Sequence, residues 1–158
     1  MPPDATFSLR IADGAVTGYP YNGTIAPAFT TMFGLYDRHY SHAGEDDWAL
    51  PQRWLEAQSE LDLSTPMNFV STADIIGGNS GSPVLDADLE VVGVVFDGNI
   101  ESLPGEYIYL PERNRSVTVD ARAIIAALDI VYDTDRLVAE LLTGTLFATE
   151  AEADAAGR

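Results

Sequence analysis

Two β-forming runs of this chain are joined through Gly77-Gly78-Asn79-Ser80-Gly81-Ser82-Pro83, and no regular helix can continue through such a segment. Glycine pays a backbone-entropy penalty in a helix, and proline lacks the N–H that a helix ladder needs. Upstream, residues 67–71 read as a strand that leads through 72–76 into the bend. Downstream, residues 83–85 form a second short strand and Asp86-Ala87-Asp88 a tight connection. Residues 90–97 then hold the near-continuous apolar run Val91-Val92-Gly93-Val94-Val95-Phe96, a pattern expected of a strand buried on both faces.

The rest of the chain fits round this centre. Residues 6–11 alternate apolar and polar, Asp13-Gly14 makes a turn, and residues 15–19 can pair back. Tyr21-Asn22-Gly23-Thr24 is a further turn signal. Residues 29–40 have no clear period, and 41–47 read as a loop. Pro51 opens a short helix over 51–61, since proline at the first helical position gives up an N–H that would be unpaired anyway. Residues 99–106 read as a loop, and 107–110 and 116–119 as short strands. Asp120 suits the N-cap of a helix over 121–128. A second helix over 134–142 ends near Gly144, and the Ala- and Glu-rich tail from 149 is expected to fray. The sum predicts a mainly β body with helices at the C-terminal end.

Composition narrows the function. Eight Arg and Lys face 25 Asp and Glu, a formal charge of −17. Nucleic acid and anionic membrane surfaces need clustered cations and are excluded as partners. A cationic group such as a peptide amino terminus is compatible. Cysteine is absent, which removes thiolate catalysis and zinc–cysteine sites. Nothing calls for a metal or another cofactor. No stretch is apolar for long enough to span a bilayer, and Met1-Pro2-Pro3-Asp4 shows no signal-peptide pattern. Asn22-Gly23-Thr24 and Asn114-Arg115-Ser116 match glycosylation sequons, a pattern too short to carry weight.

The chemistry centres on Ser80. A serine hydroxyl attacks a carbonyl only with a base to take its proton and donors to hold the oxyanion it creates. A bend flanked by glycines can aim the N–H groups of Gly78 and Ser80 at one point beside the hydroxyl. The plain alternative is a glycine-rich β-turn with an exposed serine. The order of strand, glycine-rich serine turn, Pro83-Val84-Leu85 and a strand ending at Phe96-Asp97-Gly98 resembles the Gly-Asp-Ser-Gly-Gly-Pro block of chymotrypsin-like peptidases. In that alignment Ser80 is the nucleophile. Asn79 replaces the aspartate that pairs with a newly cut N-terminus in trypsin-like zymogens, so that activation device is missing.

The resemblance narrows to the bacterial dipeptidyl-peptidase 7/11 family. It rests on Phe69-Val70-Ser71-Thr72-Ala73-Asp74-Ile75-Ile76-Gly77-Gly78-Asn79-Ser80-Gly81-Ser82-Pro83-Val84 and on Phe96-Asp97-Gly98-Asn99-Ile100-Glu101-Ser102. Asp4-Ala5-Thr6-Phe7-Ser8-Leu9-Arg10 and Val117-Thr118-Val119-Asp120-Ala121-Arg122 fit its C-terminal part as well. It implies a double β-barrel serine peptidase with an inserted helical domain, which removes dipeptides from the free N-terminus of peptides in the periplasm or at the cell surface of Gram-negative bacteria. Residues 1–145 would be the C-terminal portion, the serine-bearing barrel half plus terminal helices. Residues 146–158 would be a disordered tail. The catalytic His and Asp would lie upstream, so the segment alone is expected to be inactive. The full-length form has room to be a homodimer.

The resemblance also assigns site residues. Ser80 would be the nucleophile, with Gly78 and Ser80 supplying the oxyanion hole. Gly98 falls where members that prefer acidic residues before the cut bond carry an arginine, so glycine implies a preference for bulky apolar side chains. Glu101 falls at an acidic position that helps to hold the substrate amine, and Asn99 borders the same cleft as a substrate-orienting residue. His39 and His42 fall outside the catalytic histidine's motif and are assigned a structural or surface role. Two other readings remain open. One is a trypsin- or HtrA-like endopeptidase, which would not need a free N-terminus. The other is a barrel-derived binding module without catalysis.

Overall fold

A computed structural model describes residues 9–156 of the chain. The chain divides into two compact units. The first comprises Met1–Thr31 and Pro66–Arg122, the second Met32–Thr65 and Ala123–Arg158.

The first unit is built on β-structure. Strands β1 (Tyr19–Tyr21) and β2 (Thr24–Ala26) pair antiparallel as a hairpin. Asn22 and Gly23 at its tip have φ of 46° and 77°, the left-handed pair that a two-residue hairpin turn requires. The main sheet has five antiparallel strands in the order β3-β4-β7-β6-β5, with β3 Phe29–Thr31, β4 Pro66–Ser71, β5 Pro83–Leu85, β6 Val91–Gly98 and β7 Ser116–Asp120. Among the described residues, edge strands β3 and β5 pair with no further strand. The sheet is therefore open rather than closed.

Central β7 is the best buried strand, with Ser116, Thr118 and Asp120 all enclosed. Asp120 then caps the next helix: its Oδ1 accepts the Arg122 N–H at 2.9 Å, and its carboxylate also receives the Arg122 guanidinium. That helix is α3 (Ala121–Ala126), which passes through a π-turn over Ala127–Val131.

Several expectations give way here. Residues 9–11 carry no strand, and 6–8 lie outside the described residues. Val16 bridges to Ser71 of β4 instead of pairing back on the first segment. The apolar run of β6 is not buried on both faces. Gly93 and Val95 are enclosed, whereas Val91 and Phe96 are exposed. Residues 107–110 form no strand. Residues 100–106 coil into a 3-10 helix, Ile100–Glu106, where a loop was expected.

The second unit is helical, with α1 (Met32–Ser41), α2 (Gln52–Ala57), α4 (Asp135–Thr143) and α5 (Glu150–Ala156). Tyr36, Ala57, Leu61 and Val131 form its core. The Tyr36 hydroxyl donates to the Trp54 carbonyl at 2.6 Å, and burial pushes its pKa above the ordinary tyrosine value. Pro51 stands at the N-cap of α2 with extended backbone rather than at its first helical position, and α2 ends at Ala57 instead of reaching 61, whereas Gly144, at φ 69°, terminates α4 as the sequence implies.

The tail is helical as far as residue 156, not frayed from 149. Thr149 and Glu152 stand in capping-box spacing: the Glu152 N–H donates to Thr149 Oγ1 at 3.3 Å, and Glu152 Oε2 accepts the Ala148 N–H. Ala153 is buried. Among the described residues no helix is long and apolar enough to cross a membrane.

Candidate active site

Ser80 sits at the corner of two consecutive β-turns. The first closes by the Asn79 N–H donating to the Ile76 carbonyl at 3.2 Å, the second by the Ser82 N–H donating to the Asn79 carbonyl at 2.9 Å. The third residue of each turn is a glycine with positive φ, Gly78 at 90° and Gly81 at 91°. A type II turn requires this, and an L side chain resists it. No atom lies within 4 Å of where a Cβ on Gly81 would be, so φ rather than space demands glycine there.

The Asn79 side chain locks the first turn, its Oδ1 accepting the Ile76 N–H at 3.1 Å. The second turn is tied to β6: Gly81 N–H donates to the Val95 carbonyl at 2.7 Å, and Val95 N–H donates back to Ser82 at 3.0 Å. Ser80 is exposed. Among the described residues, no acceptor takes the amide of Gly78 or of Ser80. Both donors are free for a ligand oxygen.

Beside the serine, β6 is bulged. Val95 stands opposite Thr118 and Asp97 opposite Val117, so Phe96 is the extra residue. Its carbonyl accepts the Ser80 hydroxyl at 3.2 Å. Bulges redirect a strand next to a site in this way.

A cleft of about 230 Å³ opens against Ser80. Its walls are the apolar Ile75, Ile76, Phe96 and Leu103, with Ser102 and the glycines 77 and 98 between them. Among the described residues, Asp97 is the one charged residue that lines the cleft, and no cation lines it. The volume is below the roughly 300–1,000 Å³ of drug-sized ligand sites and suits one side chain.

The other assigned residues separate. Gly98 lines the cleft. Asn99 does not: it is buried, and both hydrogens of its Nδ2 are committed, one to Glu101 Oε2 at 2.9 Å and one to the Arg113 carbonyl at 2.8 Å. Its Oδ1 accepts the Arg115 N–H at 2.9 Å. Asn99 is thus a staple of the loop, with no N–H left for a substrate. Glu101 is held by that staple and is not among the described residues lining the cleft.

The acidic residue at the cleft is Asp97, to which the sequence assigns no role. Its Oδ1 accepts the Gly98 N–H at 2.8 Å. The available signal is position: Asp97 directly follows Phe96, the last apolar residue of the run that forms β6.

His39 and His42 are occupied inside the helical unit. Each Nδ1 meets a main-chain carbonyl, that of Trp48 at 2.8 Å for His39 and that of Arg38 at 2.9 Å for His42. A carbonyl can only accept, so Nδ1 carries the proton. The His42 ring also stacks on Trp48 at 4.3 Å. Among the described residues no cluster of three His, Asp or Glu gathers to hold a metal.

Asn114 of the second sequon is buried, which removes it as a glycosylation acceptor. Arg115 beside it is a buried cation held by main-chain carbonyls. Its guanidinium donates to Thr17, Gly18, Pro111 and Asn114, at distances down to 2.7 Å.

Comparison with known proteins finds relatives along most of the chain. The family model described as Peptidase S46 matches residues 1–143. A dipeptidyl-peptidase 7 of Porphyromonas endodontalis is 32% identical over 149 residues, covering 89% of this chain and 18% of its own length. An Asp/Glu-specific dipeptidyl-peptidase of Shewanella putrefaciens is 33% identical over 170 residues, covering 88% of this chain and 23% of its own length. Among solved structures, Porphyromonas endodontalis DPP11 in complex with the dipeptide Arg-Glu superposes with a TM-score of 0.75 at 27% identity, over 86% of this chain and 20% of that one. The chain spans about a fifth of the length of these relatives.

Proposed function

Because this chain belongs to the peptidase S46 family, we propose that it is the serine-bearing segment of a dipeptidyl-peptidase that releases dipeptides from the free N-terminus of peptides. One observation carries the reading: an exposed hydroxyl at Ser80, two unclaimed amides at Gly78 and Ser80, and a side-chain-sized cleft meet at one bend. In this reading Ser80 Oγ attacks the carbonyl of the second residue, and the amides of Gly78 and Ser80 stabilise the oxyanion. One such donor contributes roughly 3–4 kcal/mol of barrier lowering. The sheet is then the serine-bearing half of a chymotrypsin-like double barrel. In this reading the base is supplied from outside this segment, since among the described residues the Ser80 hydroxyl has only the Phe96 carbonyl as acceptor.

Relatives named as Asp/Glu-specific and relatives named without a specificity are about equally identical to this chain, so side-chain preference has to come from the cleft. An acidic side chain before the cut bond would need a cation. The cleft offers none, and Asp97 would repel it. Apolar walls favour Leu or Phe. The amine-holding role expected of Glu101 passes to Asp97 in this reading, because Asp97 lines the cleft and Glu101 is tied to Asn99.

The test is hydrolysis by the complete polypeptide that carries this segment. Dipeptidyl amides with a free N-terminus and Leu or Phe at the second position should be cut, and their Asp or Glu counterparts cut more slowly. Ser80→Ala should reduce kcat by roughly 10⁶-fold. Efficient cleavage of N-acetylated peptides would replace the dipeptidyl reading with an endopeptidase. Failure of a fluorophosphonate probe to label Ser80 would remove catalysis altogether.

A further inference from the structure

We propose that Ser102 is a specificity-determining residue of the cleft, coupled to Gly98 because the two positions share one volume. This rests on the reading above, in which the cleft receives the side chain before the cut bond.

Strand β6 ends at Gly98, and the chain turns at Asn99 into the 3-10 helix Ile100–Glu106. Ser102 lies in its first turn. Both its N–H and its hydroxyl donate to the Asn99 carbonyl, at 2.9 and 2.6 Å. These two hydrogen bonds to one oxygen fix the rotamer of Ser102 and fold its side chain back over Gly98.

A Cβ placed on Gly98 would lie 2.2 Å from Ser102 Oγ and 3.3 Å from Ser102 Cβ. The first distance is forbidden; the second is tight but tolerable. The hydroxyl of Ser102 stands where a side chain at 98 would begin. Any residue larger than glycine at 98 must therefore turn Ser102 away and break its bond to Asn99.

Ser102 is also a partition. It lines the cleft against Ser80 and, with Ile75, a second cavity of about 10 Å³ behind it. That small cavity is also lined by Asn114, whose buried Oδ1 has no hydrogen-bond partner. The Ser102 side chain sets how deep the cleft runs and separates it from this polar space. Removing the hydroxyl extends the cleft toward that cavity; enlarging the side chain makes it shallower.

The experiment uses the complete polypeptide with Gly98→Ala, Ser102→Ala, their combination, and Ser102→Cys. The substrates are free-N-terminus dipeptidyl amides with Val, Leu, Phe or Asp at the second position. Ser102→Ala should raise the Phe-to-Val ratio of kcat/KM by about threefold or more, and Ser102→Cys should lower it. Gly98→Ala alone should reduce kcat/KM for Leu roughly tenfold, and by no more than about threefold when Ser102 is already alanine. Additive effects of the two substitutions, or a uniform fall with unchanged Phe-to-Val ratio and a lowered thermal midpoint, would reduce Ser102 to a helix staple and overturn the pairing. Absence of hydrolysis by the unsubstituted enzyme on every dipeptide would instead overturn the peptidase reading, and the specificity role with it.

Discussion

Exchanging Asp97 and Glu101 for their amides, one at a time, separates two carboxylates that lie four residues apart, the first on a cleft-lining residue and the second bonded to Asn99. Asp97 lines the cleft, and one of its oxygens is bound to the Gly98 N–H at 2.8 Å. The other oxygen is left for an ammonium group. Asp97→Asn keeps an acceptor for Gly98, so the loop should hold while the charge is lost. A hydrogen bond to a charged group contributes about 1.5–3 kcal/mol, which corresponds to about a 10- to 150-fold fall in kcat/KM. Asp97 is exposed, so screening places the effect toward the lower end, and the fall should shrink as salt rises. Glu101→Gln keeps an acceptor for Asn99 and should cost less than about threefold. The assay is kcat/KM on one dipeptidyl amide with a free amine and on its acetylated form, for the complete polypeptide. Asp97→Asn should act on the free amine alone. A larger loss from Glu101→Gln than from Asp97→Asn would refute the assignment, and so would equal losses on both substrates.

Two further substitutions probe the scaffold. Gly81→Ala meets no neighbouring atom but must hold φ near 91°. Strain of roughly 1–3 kcal/mol should open the second turn and shift Ser80, lowering kcat at least tenfold while KM changes little; kcat within about twofold of the unsubstituted enzyme would show that the turn is not needed. Arg115→Met leaves the carbonyls of Thr17, Gly18, Pro111 and Asn114 without their donor. It should destabilise the first unit by at least about 3 kcal/mol, read as faster proteolysis within residues 9–18 and a lower denaturation midpoint.

The serine bend was legible because its chemistry is local. Positive φ at residues 78 and 81 is something only glycine meets cheaply, so composition and conformation coincide there. The hairpin at Asn22-Gly23 and the stop at Gly144 were legible for the same reason. What the sequence hid is non-local. The bulge at Phe96 depends on register against β7, which no run of apolar residues announces. The role of Asn99 turns on partners at 113 and 115, brought close by the sheet, and Glu101 is held in turn by Asn99. Composition made the tail look frayed, although Thr149 and Glu152 already stood in capping-box spacing. The apolar run of β6 predicted burial on both faces, but exposure depends on which chain covers a face, not on the strand alone.

The site is an arrangement of backbone more than of side chains. Two turns present the hydroxyl and its amides, a bulge turns the Phe96 carbonyl toward that hydroxyl, and a missing Cβ at 98 admits Ser102. Each device interrupts a regular ladder, and each is anchored at once to the rest of the sheet. Gly81 and Ser82 rejoin β6 at Val95, and Asn99 rejoins the chain at Arg113 and Arg115. If Ser80 is the nucleophile, as proposed, it needs this kind of mounting, because small displacements at the reacting atom cost orders of magnitude in rate. Regular strands on either side hold the irregular residues in place. In the proposed reading the proton acceptor comes from outside this segment and has to reach the Ser80 hydroxyl where it now donates to the Phe96 carbonyl.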